Sequence, residues 1–207
     1  MENIIFLVLF LIISYKTYSY VVTKKRTEFI KQYEFPRKIG EAVIATYPHL
    51  NSNDVNKVLD GLRQYFVICN KAKLRMISMP SQVVDVAWHE FILFTRDYKK
   101  FCKHSFGKFL HHNPAESMTS STVAQDGIKR AWRLSCEREK MDPKNAHRLP
   151  LLFGIDSALE IPDGFKYSLD CKNNQDRYCA GHIGCGGGCS GGGCSGDGGG
   201  GCGGGGD

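Results

Sequence analysis

Nineteen residues near the start, IIFLVLFLIISYKTYSYVV from Ile4 to Val22, constrain this chain more than any other stretch. As an α-helix they would rise about 28 Å, close to the roughly 30 Å hydrocarbon core of a bilayer. Lys16 is the single charge inside the run, near its C-terminal end, where the ammonium can snorkel to the interface. Tyr15, Tyr18 and Tyr20 suit an interfacial aromatic belt. A cleaved export signal competes with this reading, and three features oppose it. The leader MEN carries no basic residue, no small-x-small cleavage site follows the run, and TKKR follows directly, as at the cytoplasmic end of an anchor. Residues 1–23 are therefore read as one transmembrane anchor. The positive-inside rule places the remainder in the cytoplasm, giving a single-pass membrane protein.

The other end excludes itself from the core for the opposite reason. From Cys185 the chain becomes CGGGCSGGGCSGDGGGGCGGGGD, which has almost nothing apolar to bury and pays the largest entropy cost per residue to order. Residues 170–207 are read as a disordered Gly/Cys-rich tail. It holds six of the nine cysteines: Cys171, Cys179, Cys185, Cys189, Cys194 and Cys202. The last four are spaced at 4, 5 and 8, unlike the CxxC pairs of zinc fingers. They would be free thiols in a reducing compartment, a pairable set outside it, or a soft metal trap. An RNA-binding tail would interleave arginine and aromatics with glycine; after Cys179 this one does not.

Roughly 145 residues, 24–169, remain for one globular domain. The formal charge is +6 overall. Residues 171–207 carry two basic against three acidic groups, so the rest is about +7. Lys24, Lys25, Arg26, Lys31, Arg37 and Lys38 crowd behind the anchor, which suits anionic lipid headgroups better than nucleic acid. Apolar spacing predicts helices over about Pro36–Tyr47, from an Asn53 N-cap through Val55, Val58, Leu59, Leu62, Tyr65 and Phe66, over Ser81–His104, and over Ser121–Met141. RLPLLFGIDSALEIPDGF reads as a short apolar segment with a turn at Pro162-Asp163-Gly164. No strand alternation is convincing. The expected fold is mostly α, a small irregular helical bundle behind one transmembrane helix.

DVAWHEFILFTRDYKKFCKHSFGKFLHH, from Asp85 to His112, carries the chemistry. On one continuous helix, Val84, Trp88, Phe91, Thr95, Tyr98 and Cys102 form a buried stripe. Asp85 and His89, at i and i+4, share another side. His111 and His112 follow the expected terminator Gly107 and could fold back. A cation such as zinc or iron could thus be held by Asp85, His89 and one of His111 or His112. Cys102 and His104 fit such a set less well. The alternative is a purely structural polar network: Asp85 against the helix dipole, His89 half-buried, the histidine pair capping a neighbour. Cys69, Cys102 and Cys136 sit inside apolar helix patterns and read as small hydrophobes, not nucleophiles.

Asp85, Trp88, His89, Tyr98, Cys102, Gly107 and His112, followed by LPLLFGID, IPDG and a Gly/Cys-rich end, resemble the glycine-rich domain-containing protein family, especially its short bacterial-type members. The resemblance covers roughly Val55 to Gly164. It departs from many plant members at Phe91, where their Trp-His-x-His pattern has a second histidine. That family has no established activity to carry over, so the resemblance implies fold and architecture. The combined reading is a membrane-anchored interaction or scaffold module contacting the bilayer and a protein partner, with no nucleic acid. The alternative is a metal-binding protein or metal-dependent enzyme built on the Asp/His cluster.

Overall fold

The central element is a helix whose start the sequence writes twice. Asn51 accepts from the backbone N–H groups of Asn53 and Asp54, while Asp54 accepts from the Asn51 N–H, closing a capping box. Asn51 is the N-cap, two residues before the expected Asn53. The computed structural model describes residues 1–73, 75–112, 121–169 and 178–179. Its helices are α1 (Glu2–Gln32), α2 (Arg37–Thr46), α3 (Ser52–Lys71), α4 (Gln82–Leu93), α5 (Thr95–Phe106), α6 (Ser121–Arg138) and α7 (Leu151–Ala158). Two-residue strands β1 (Tyr167–Ser168) and β2 (Tyr178–Cys179) pair in parallel. Of the tail cysteines only Cys179 falls among these residues, by its backbone; what was expected of Cys171, Cys185, Cys189, Cys194 and Cys202 lies outside them.

The fold is the expected irregular helical bundle, arranged around α3, which packs against each of the other six helices. Its Val58, Leu62, Tyr65, Phe66 and Ile68 are buried. Gly61 lets the neighbours close in: a Cβ there would stand 2.9 Å from Val84 of α4 and 3.5 Å from Ile155 of α7. The short apolar segment before the Pro162 turn is α7. Its N-terminus is held by Glu139 at the end of α6, which accepts from Leu151 N–H at 2.7 Å.

The apolar start and the domain share one helix. From Ile4 to Val21 the large apolar side chains of α1 are exposed, and the helix is long and apolar enough to cross a membrane. It then runs unbroken through position 23, where the sequence pattern placed a boundary, into the core. Ile30 is fully buried and Phe29 lies 6.0 Å from Phe101, ring to ring. Asn70 of α3 donates to the Thr23 carbonyl and to Thr27, and Arg63 donates to the Tyr33 carbonyl.

The expected single helix Ser81–His104 is two. Phe94 closes α4 and opens α5, with ψ at 59° instead of a helical value. In a straight helix Phe91 and Phe101 would stand about 15 Å apart along the axis. Here their rings are 5.3 Å apart and both pack on Phe66. The break folds α5 back so that Phe101 and Tyr98 join the same aromatic cluster as Phe91. It also turns Thr95, expected in the buried stripe, out to solvent. Helix α6 ends at Arg138, short of Met141, through a left-handed Lys140.

One buried carboxylate joins three parts of this bundle. Asp156 of α7, 2 % exposed, accepts from Ser81 Oγ at 2.6 Å, from Gln82 N–H at 2.7 Å, from Val83 N–H at 3.3 Å and from Phe165 N–H at 2.9 Å. Ser81 in turn accepts from Val84 N–H as the N-cap of α4. Asp156→Ala orphans several buried donors and is expected to lower unfolding stability by about 3 kcal/mol or more. Ser81→Ala, which loses one cap, should cost about 1 kcal/mol. Thermal or denaturant unfolding of the two variants checks the order.

Candidate metal centre

Asp85 lies in the first turn of α4, where the positive end of the helix dipole favours a carboxylate. His89 follows one turn later, and its Nδ1 stands 3.3 Å from Asp85 Oδ2. The third group arrives from a distance in sequence. Gly107 ends α5 in the left-handed conformation, φ 78°, and turns the chain back. Tyr98 then holds the returning segment: its hydroxyl donates to the Leu110 carbonyl at 2.6 Å and accepts from Trp88 Nε1 at 3.1 Å. His112 lands on Trp88, ring centroids 4.4 Å apart, and places Nε2 3.0 Å from Asp85 Oδ1.

Asp85, His89 and His112 thus converge, with one donor atom from each lying within 4.8 Å of the others. The two imidazole rings are 4.2 Å apart. Ligands bonded to one cation at about 2.0–2.2 Å stand roughly 3 Å from each other at adjacent positions. The edges from Asp85 are of that order, 3.3 Å from Oδ2 to His89 and 3.0 Å from Oδ1 to His112, one from each carboxylate oxygen. Burial is graded across the group. The His112 side chain is 12 % exposed, Asp85 21 % and His89 52 %, so Trp88 closes one side and solvent reaches the other.

The remaining candidates fall elsewhere. His111 points away from the cluster onto Phe109, ring centroids 4.9 Å apart. His104 is exposed on α5, with Nδ1 at the Lys100 carbonyl, and faces Phe29. Cys102 is buried, and desolvation raises its thiol above the ordinary range. Burial pushes Cys69 up to about 12 and Cys136 up to about 11. These three thiols stay protonated at neutral pH and are no nucleophiles there.

Apolar spacing does not reveal the hydroxyl–indole link between Tyr98 and Trp88. Both residues belong to the buried stripe, yet their polar ends decide where His112 goes. A tyrosine and a tryptophan sharing a buried helix face were the available signal, since each needs a hydrogen-bond partner.

Fold and site together define a mostly helical domain, carried on a helix capable of spanning a membrane, with a histidine–carboxylate cluster at the start of α4. A family model described as UCP032817-like matches residues 25–186, and the chain belongs to that uncharacterised family. No curated protein and no solved structure matches it.

Tyr98→Phe keeps the ring and removes both hydroxyl bonds. It should raise backbone hydrogen exchange across residues 109–112 by roughly tenfold, the size of one net buried hydrogen bond, while α3 stays protected. Unchanged exchange there would mean that the His112 contacts alone hold the segment.

Proposed function

We propose that this chain is a membrane-tethered metal-binding protein in which Asp85, His89 and His112 hold one divalent cation, zinc or iron. The convergence of the three donors within 4.8 Å of one another, with one Asp85 oxygen beside each histidine, carries this reading. Two imidazoles and one carboxylate suit tetrahedral zinc with a free fourth position, and equally the open two-histidine, one-carboxylate face used by non-haem iron. The half-exposed side of His89 is where water or an exogenous ligand would enter. Support also comes from the residues that carry the resemblance to glycine-rich domain-containing proteins. Three are the donors. Trp88, Tyr98 and Gly107 steer His112 into place, and Cys102 lies against Tyr98 and the Leu110 backbone.

The tether is part of the proposal: α1 crosses the bilayer once, with the domain on the cytoplasmic side, as its basic C-terminal half favours. A second reading, an interaction or scaffold module without metal, draws on the direct Asp85–His112 hydrogen bond, which satisfies both groups and ties the return segment to α4.

One experiment separates the two. The full chain, with its six cysteines beyond residue 170 replaced by serine, is purified and its metal content measured. About one zinc or iron per chain is expected. His89→Ala and His112→Ala should each weaken binding by more than the roughly 10–100-fold that even outer-shell changes cost, and His111→Ala should leave it intact. A metal-free chain that His112→Ala merely destabilises would favour the interaction module.

A further inference from the structure

A groove runs between α1 and the domain, away from the Asp/His cluster, at the level where the apolar run ends. It measures about 290 Å³ and is lined on one side by Tyr15, Tyr18 and Ser19 of α1. Arg26, Lys73 and Lys108 bring three cations to it from α1, the end of α3 and the turn after α5. Phe106 contributes an apolar surface.

Two of these cations are held where they are. The Arg26 guanidinium lies over Gly107, in the space a side chain there would fill. Lys73 takes the left-handed conformation, φ 53°, and its ammonium donates to Ser19 Oγ at 3.0 Å. Among the described residues no carboxylate pairs with Arg26, Lys73 or Lys108. A second groove on α1 at the same level adds Lys16 and Lys71 on the far side of Lys73. The carbonyl end of α3 offsets about half an elementary charge, against three full positive charges. Like charges brought together without a counter-ion repel, and an anion between them relieves that.

We propose that this groove is a binding site for the phosphate headgroup of an anionic phospholipid, with Arg26, Lys73 and Lys108 on the phosphate and Tyr15 and Tyr18 beside the upper acyl chains. The proposal rests on the reading of α1 as a membrane span. A span of about 20 residues from Asn3 reaches the interface near Val22, so the groove opens at headgroup depth. Its volume is near the lower end of small-molecule sites, roughly 300–1,000 Å³, which suits a headgroup rather than a whole lipid. This is a defined groove on the packed face of α1, with Arg26 over Gly107 and Lys73 on Ser19, and Lys24 and Lys25 are not part of its lining.

The test uses the full chain extracted into neutral detergent, with retained lipid read by native mass spectrometry after adding phosphatidylglycerol or phosphatidylcholine. One phosphatidylglycerol per chain is expected, well above phosphatidylcholine. Arg26→Gln, Lys73→Gln and Lys108→Gln together should weaken retention roughly a hundredfold, each cation near a membrane surface counting for about a factor of five. Lys24→Gln, Lys25→Gln and Arg37→Gln together remove the same charge outside the groove and should leave retention within about threefold, because none of the three lines it and their attraction to the headgroup is screened by salt. Equal loss in both triple variants, or equal retention of the two lipids, overturns the site. Displacement of the lipid by millimolar inorganic phosphate overturns the lipid as ligand and leaves free phosphate in its place. Membrane tethering is read separately: a chain washed from membranes by alkaline carbonate, or lacking Met1–Val22 when isolated, overturns the span whatever lipid it retains.

Discussion

A buried carboxylate, Asp156, decides where α4 begins. Its oxygens take up N–H groups at the start of α4 and the Ser81 hydroxyl that caps it, and they hold the Phe165 backbone against the same point. A carboxyl group this deep is tolerable only when its polar atoms are paired, and here four donors reach it. With that start set, Asp85 falls in the first turn and His89 one turn on. Gly164 completes the arrangement by letting the backbone pass close: a Cβ there would stand 2.7 Å from the Asp156 Cβ.

Downstream of that anchor, the site is a product of folding back. The break at Phe94 trades one turn of continuous helix for an aromatic cluster in which Phe66, Phe91 and Phe101 all touch. Because α5 returns along the bundle, its end lies near α4, and a short segment suffices to carry His112 across to Asp85. The polar ends of Tyr98 and Trp88 set the register of that segment. The same packing that builds the core therefore builds the cluster, and three donors spread over 27 residues of sequence meet through one short return segment.

Much of the fold was legible because helices write themselves in apolar spacing. Helices α2, α3 and α6 and the terminator Gly107 follow from periodicity and capping chemistry. The α4–α5 break did not, because the residues on either side of Phe94 keep helical propensity and only the tertiary gain of stacking Phe101 on Phe91 outweighs continuity. Asp85 and His89 were legible as an i, i+4 pair. The choice between His111 and His112 was not, since neighbours in a non-helical segment carry no periodic signal and a buried hydroxyl 12 residues from Leu110 makes the selection. Asp156 carries no periodic signal inside LPLLFGID. A lone acid in so apolar a helix was itself the clue, because such a group is buried only with partners.

X-ray absorption at the metal edge of the full chain loaded with one equivalent of zinc tests the central claim most directly. The account predicts a first shell of nitrogen and oxygen only, at about 2.0–2.2 Å, with the outer scattering of two imidazoles. Sulfur at about 2.3 Å would contradict it, moving the metal from Asp85, His89 and His112 to the thiols of the tail.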